Sequence, residues 1–348
     1  MSSQKPSGLH LLPRFWAGVA VLAVTMTGVA GCSSSSPRKA TGPSTPPTTS
    51  TTTTTASAPA VNPLTGVGSP PSGPVIAVKV DDTANGRPSR GIDQADVIYL
   101  EQAEGGLSRM LAVFSGHRPR VEAVRSVRTS DPEVLAQYGR VVLVFSGGAR
   151  PVLPIIDRSP LHTVVNDRGG PGFSRDRSRP APYNLVSDLA VVARRVKGDG
   201  VRDVGFRFAA GDARLASAPA AAQVRTAVGA TTVTFVWDAA RHLYVRTIAG
   251  RRLTTADGVV LGKPNVLVQF CSIVPDRRDI DVNGNPSQYT HTVGSGRVVL
   301  FRDGKRIEGR WSRPGAAAPT TFTDASGKPL TFAPGGLWVA LVATTATV

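Results

Sequence analysis

Residues 33–61 are dominated by Ser, Thr and Pro and include an unbroken threonine run from Thr51 to Thr55. A stretch of this composition buries too little apolar surface to offset the entropy of ordering it. It is expected to be a disordered tether. Folding is thereby confined to the residues C-terminal to it, beginning near Asn62–Gly66 (NPLTG). At an extended rise of about 3.1 Å per residue, the tether reaches roughly 90 Å.

The attachment point of the tether is written at the start of the chain. Lys5 and Arg14 precede an apolar run from Phe15 to about Thr27, followed by Val29-Ala30-Gly31-Cys32. That is the order of an export signal, and the run is shorter than the ~20 apolar residues a spanning helix needs. The tetrapeptide resembles a bacterial lipobox, which implies cleavage after residue 31, a diacylated Cys32 and a protein held on the outer face of the cytoplasmic membrane. The other cysteine, Cys271, then has no partner within the chain; it follows the apolar run NVLVQF and is expected to be a small buried hydrophobe.

The 348 residues carry a formal charge of +16, and loss of Lys5 and Arg14 with the signal (16 − 2) leaves +14. Nucleic acid is the usual partner of so basic a chain. An exported, tethered protein meets anionic lipid headgroups and wall polymers instead, and aromatic residues are only 6%. No nucleic-acid partner is expected.

Beyond the tether the chain reads as α+β: a mixed α/β domain over 62–200, a junction over 201–230 that is rich in Ala and Gly, and a mostly β domain over 231–348. In the first domain Val75–Val80, Ala95–Leu100, Leu107–Ser115 and Val141–Phe145 have strand patterns. Ser130-Asp131-Pro132-Glu133 starts a helix that Gly139 stops, and Leu185–Val196 has helical spacing. In the second, Thr232–Trp237, His242–Ile248, Asn265–Phe270, Arg297–Arg302, Arg306–Trp311 and Leu337–Val342 are strand-like, and Asp303-Gly304 marks a tight hairpin.

Most catalytic signatures are missing. Gly304-Lys305 and Gly327-Lys328 lack the rest of a phosphate loop, and His10, His117, His162, His242 and His291 have no metal-ligand spacing. No cofactor and no metal are expected, with calcium at Asp81-Asp82 as the one exception a hard cation would allow. What remains is a series of polar fragments: Asp81, Glu104-Gly105-Gly106 with Arg109, Val124-Arg125-Ser126 with Arg128, Gly147-Gly148, Arg175-Asp176, Arg179, and Ala181-Pro182 with Asn184.

In this order the fragments resemble the YerB-type bacterial lipoproteins, a two-domain family of unknown function. Val266–Phe270 and Val293–Trp311 extend the resemblance, which covers about 62–342. Where similar proteins tend to have His before the Gly-Gly turn and before the Asn, this chain has Phe145-Ser146 and Tyr183. The resemblance implies that the charged fragments belong together and supplies no reaction.

Three readings of those fragments stand side by side. The arginines and acids form an ion-pair network that holds loops in place. Alternatively, Arg109, Arg125, Arg128 and Arg175, with Asp81, Glu104, Ser126, Asp176, Arg179 and Asn184, line a cleft for a small anion or an anionic wall polymer, since surplus guanidinium donors suit carboxylate or phosphate. In the third, Glu101, Glu104, Asp81 and Asp82 act as acid and base on a wall glycan. Surrounding arginines lower a carboxyl pKa and oppose that last use, so a binding or scaffolding role is preferred.

Overall fold

Most of the apolar runs expected to be strands are strands, and the surprise lies in how they join. The computed structural model describes residues 61–281 and 284–348; the export segment, Cys32 and all but the last residue of the tether lie outside the described residues. The first half supplies β1 (Ile76–Asp81), β2 (Val97–Gln102), β3 (Ser108–Phe114), β4 (Arg120–Glu122), β5 (Val142–Phe145), β6 (His162–Val165), β7 (Phe173–Arg175) and β8 (Leu185–Asp188). Its helices are short: α1 (Asp131–Leu135), α2 (Leu153–Asp157) and α3 (Leu189–Arg195). The second half adds β9 (Gln223–Val228), β10 (Thr231–Asp238), β11 (Leu243–Ile248), β12 (Arg251–Arg252), β13 (Gly262–Lys263), β14 (Asn265–Ile280), β15 (Pro286–His291), β16 (Gly294–Arg302), β17 (Lys305–Arg313), β18 (Thr321–Thr323) and β19 (Leu337–Ala343). Strands with a few short helices make this an α+β fold.

One mixed sheet runs through both halves in the order β18-β17-β16-β14-β19-β2-β3-β1-β5-β6, with β15 paired to the second half of β14. Its seam is β19 lying parallel to β2, Leu337 beside Val97 through Ala340 beside Leu100. The last strand of the chain is thus inserted between β14 and β2. Smaller sheets are β12-β11-β10-β9, with β13 on β11, and β4-β8-β7.

Side chains alternate across a strand, so the sheet has two apolar faces. One holds Val78, Val80, Ile98, Leu100, Met110 and Trp338, covered by Phe235 and Tyr244 of the β9–β12 sheet. The other holds Ala77, Val97, Tyr99 and Leu111 under Leu135, Tyr138 and the ring cluster of Phe206, Phe322 and Phe332. At roughly 1.5–3 kcal/mol for each large apolar side chain removed from water, these two layers dominate the stability.

Three departures from the sequence expectations have local causes. Leu185–Val196 is not all helix: residues 185–188 pair with β4 and β7, and α3 starts only where the Asp188 carboxylate accepts from the amides of Ala190 and Val191. Within the stretch read as junction, Gln223–Val228 alternates exposed and buried and pairs with β10. Finally, β14 continues past Phe270 through polar PDRRDI to Ile280, because β15 gives that segment a partner. The α1 start and the Gly139 stop, at φ 89°, are as expected, and Asp303-Gly304 closes the β16–β17 hairpin.

Candidate functional site

The charged residues gather at one end of β1, β2 and β3. Register places Asp81 and Glu101 on either side of Arg109. Alternation then sends Lys79, Asp81, Glu101 and Arg109 to the same face as Ala77, Tyr99 and Leu111, and all four are at most 2% exposed. Asp82, one residue on, points to the opposite face.

Glu104 is brought to this group by a turn that needs its glycines, since Gly105 and Gly106 have φ of 59° and 74°. Its carboxylate accepts from Arg109 Nη2 at 3.1 Å and from Arg128 Nε at 3.0 Å, with Arg128 Nη2 as a further donor. Burial alone would raise the Glu104 carboxyl, but Arg128 and Arg109 overcome it and hold it down at about 2. Arg128 also donates to the carbonyls of Ser126 and Val127.

In the AVRSVR segment Ala123 is left-handed, at φ 56°, and the chain runs extended from Val124. The Arg125 amide donates to the Lys79 carbonyl and the Ser146 amide to the Arg125 carbonyl, so the segment runs between the ends of β1 and β5. Arg125 Nε lies 3.2 Å from Asp81 Oδ2, and its guanidinium sits over the Tyr183 ring, 5.2 Å from the centroid. Arg125 Nη1 is buried and has no acceptor. The hydroxyls of Ser126, the next residue, and Ser146 are 3.4 Å apart. Tyr183, a point of departure from the family pattern, thus supplies the ring under Arg125.

Beneath lies a group of which sequence reasoning singled out only Glu101. Lys79 Nζ donates to Glu101 and, at 2.8 Å, to Asp131, whose other oxygen accepts from the Arg128 amide at 2.7 Å. Burial, and then the Asp131 charge, push the Glu101 carboxyl well above the usual carboxylate range, against the pull of Lys79. A lysine inside the apolar run VIAVKV was the available signal.

The remaining predicted residues stand apart. Arg175 is exposed and donates to Asn184 at 2.8 Å, and Asp176 accepts from the Ser178 amide and hydroxyl. Arg179 pins the loop after β1 through the carbonyls of Pro88 and Asn85 and approaches Glu122 at 3.5 Å. Arg175, Asp176, Arg179 and Asn184 thus bond to other groups than Glu104, Arg109 or Arg128; of the four arginines expected to converge, Arg109, Arg125 and Arg128 gather on Asp81 and Glu104, and Arg175 pairs with Asn184 instead.

Asp82 overturns the calcium expectation. Arg246 holds it with two parallel bonds, 2.6 and 2.7 Å, and the Ser108 hydroxyl adds one of 2.5 Å. Asp81 meanwhile accepts from the Thr83 amide and hydroxyl on the other face. Two carboxylates on opposite faces, each committed to other donors, cannot share a cation. Among the described residues no His, Cys, Asp and Glu group has the geometry of a metal site.

Several of these contacts tie the two halves of the chain together. Besides Asp82 and Arg246, Arg128 Nε lies 3.4 Å from Asp279, and Thr129 donates to Asp276. Glu133 accepts from the Tyr289 hydroxyl at 2.8 Å and from the amides of Thr292 and Val293 at 2.5 and 2.9 Å. The β14–β15 ribbon is therefore clamped by residues around α1. Arg246 too was legible in principle, as a charge at an inward position between Tyr244 and Ile248.

A two-part α+β chain, fused through one sheet and cross-linked by buried arginine–carboxylate pairs, is the class that fold and site define. The chain belongs to the family described as "Protein of unknown function (DUF3048)", whose N-terminal domain matches residues 64–202 and whose C-terminal domain matches 222–339. It is 25% identical over 279 residues to a Bacillus subtilis (strain 168) protein named "Putative lipoprotein YerB", spanning 77% of this chain and 80% of that one. The crystal structure of YerB from Bacillus subtilis superposes with a TM-score of 0.69 at 21% identity, over 84% of this chain and 99% of that one. This likeness concerns the fold.

Proposed function

We propose that the protein is a membrane-tethered envelope lipoprotein that binds, rather than cleaves, an anionic group, and that Arg125 receives it. The lipobox-like Val29–Cys32 and the name of the Bacillus relative support the anchor. The observation that carries the binding role is the contrast among arginines. Arg109 and Arg128 each hydrogen-bond Glu104 and are 2% and 8% exposed, whereas Arg125 is 19% exposed, is paired through Nε to Asp81, lies over the Tyr183 ring and makes no side-chain hydrogen bond among the described residues. A planar guanidinium that is partly exposed and backed by a ring suits a carboxylate or phosphate.

The hydrolase reading fares worse on the same geometry. Glu101 has the raised carboxyl of a general acid but is 1% exposed, and Glu104 is held ionised by two arginines. Arg125→Ala is the direct test. A charge-assisted hydrogen bond is worth roughly 1.5–3 kcal/mol, so binding of inorganic phosphate or citrate should weaken about ten- to a hundredfold. The fold should survive, because Asp81 retains Thr83 and Arg109. Early melting of the variant, with no anion bound by the wild type, would refute the proposal.

A further inference from the structure

A cationic cleft lies between the loop after β1 and the β11–β12 hairpin. The β11–β12 hairpin turns tightly through Ala249 and Gly250, at φ of 48° and 75°, and register sets Arg251 directly opposite Ile248. Cross-strand partners share a face, so the Arg251 guanidinium stands beside an apolar neighbour. Facing it across a cavity of about 500 Å³ are Arg87 and Pro88, with Arg252 and Leu253 completing the wall.

The carboxylates around this cleft are already committed. Asp82 is held by Arg246, Asp257 by Arg90, and Asp238 by Arg241 and Arg252. Arg87, half-buried, donates from Nε to the Thr83 carbonyl at 3.0 Å, and the exposed Arg251 side chain makes no hydrogen bond or ion pair among the described residues. The Arg251 guanidinium and the Arg87 Nη groups are therefore left over. The Arg87 side is pinned by Arg179 on the carbonyls of Asn85 and Pro88, by Gly86 packed so closely that an added Cβ would meet Asp81 at 2.5 Å, and by the Ala256 amide on the Ser89 carbonyl. Burial, together with the Arg246 charge, lowers the Arg87 pKa against the pull of Asp82 and Asp81, and the guanidinium stays charged.

We propose that this cleft is a phosphate-binding site, in which Arg87 and Arg251 grip the anion from opposite walls and Ile248, Leu253 and Pro88 contact the body that bears it. Phosphate fits better than carboxylate because its oxygens point in several directions, so donors on two walls engage it together, whereas a carboxylate presents one flat edge. The site shares no lining residue with Arg125 and stands or falls independently of it.

Calorimetric titration of the full-length protein in detergent tests it with two probes, inorganic phosphate and a short glycerol phosphodiester oligomer. Wild type should bind, Arg251→Ala should bind about tenfold more weakly with an unchanged melting temperature, and Arg87→Gln should act in the same direction. Tighter binding of the oligomer assigns the source to a polymer or headgroup diester, and tighter binding of inorganic phosphate to the free ion; either supports the site. Arg125→Ala must leave the Arg251-dependent component in place, so failure of the Arg125 reading alone would appear as binding that responds only to Arg251. An isotherm that Arg251→Ala and Arg87→Gln both leave unaltered, or a wild type that binds neither probe, overturns the proposal.

Discussion

Replacing Glu104 by Gln keeps its shape and removes its charge, which exposes how much of the buried network is structural. Glu104 accepts from two guanidinium groups whose side chains are 2% and 8% exposed. Its carboxyl is held at about 2 against an ordinary 4.5. At ~1.4 kcal/mol per unit, that depression corresponds to roughly 3 kcal/mol, in line with the ~3–5 kcal/mol lost when one partner of a buried pair is removed. The sign follows from linkage. A depressed carboxyl stabilises fully above its unfolded value near 4.5 and loses that contribution as pH falls toward 2. Urea denaturation at pH 7 should therefore show Glu104→Gln about 3 kcal/mol less stable than wild type, a melting point lower by about 6 °C. The gap should close between about pH 4.5 and 2. A variant within ~0.5 kcal/mol of wild type at pH 7, or a gap that does not depend on pH, would refute the reasoning.

The same contacts and the leader each allow one more test. Arg246→Lys keeps a positive charge but gives up the paired bonds to Asp82, and should cost roughly 1.5–3 kcal/mol in urea denaturation; an unchanged midpoint would show that the fork between the two halves is not needed. Cys32→Ala should leave the chain unprocessed or released from membranes, since each buried acyl CH₂ contributes roughly 0.8 kcal/mol of attachment; wild type found free in the medium and cut elsewhere would remove the anchor.

The strands were legible where the physics is local. Runs such as VIAVKV and VVLVF sit between turn residues and are buried on both faces, and Asp303-Gly304 turns a hairpin whatever surrounds it. Residues 185–188 were misread because LVSDLA has apolar residues at helical spacing as well; pairing with β4 and β7 decided the matter, and the Asp188 cap set the boundary. Likewise the polar second half of β14 becomes strand only because β15 folds onto it. The site was half legible. Motif order put Asp81, Glu104, Arg109 and Arg128 in one group; strand register sets Asp81 against Arg109, the Gly105-Gly106 turn brings Glu104 to them, and Glu104 holds Arg128. The partners Arg246 and Asp279 lie far along the chain from Asp82 and Arg128, and contacts at that separation arise from tertiary packing rather than from any local pattern. Spacing could not decide AVRSVR, because three residues apart means one face of a helix and opposite faces of a strand; backbone bonds to Lys79 and Ser146 make it extended, so Arg125 and Arg128 serve different carboxylates.

The proposal that Arg125 takes an anionic ligand is tested most directly by following arginine side-chain Nε–H and Tyr183 ring resonances while inorganic phosphate is added at constant ionic strength. The account predicts saturable shifts at Arg125 and Tyr183, with Arg109 and Arg128, both bonded to Glu104, left in place. Resonances of all three arginines drifting together, or Arg125 unmoved at saturating phosphate, would contradict it.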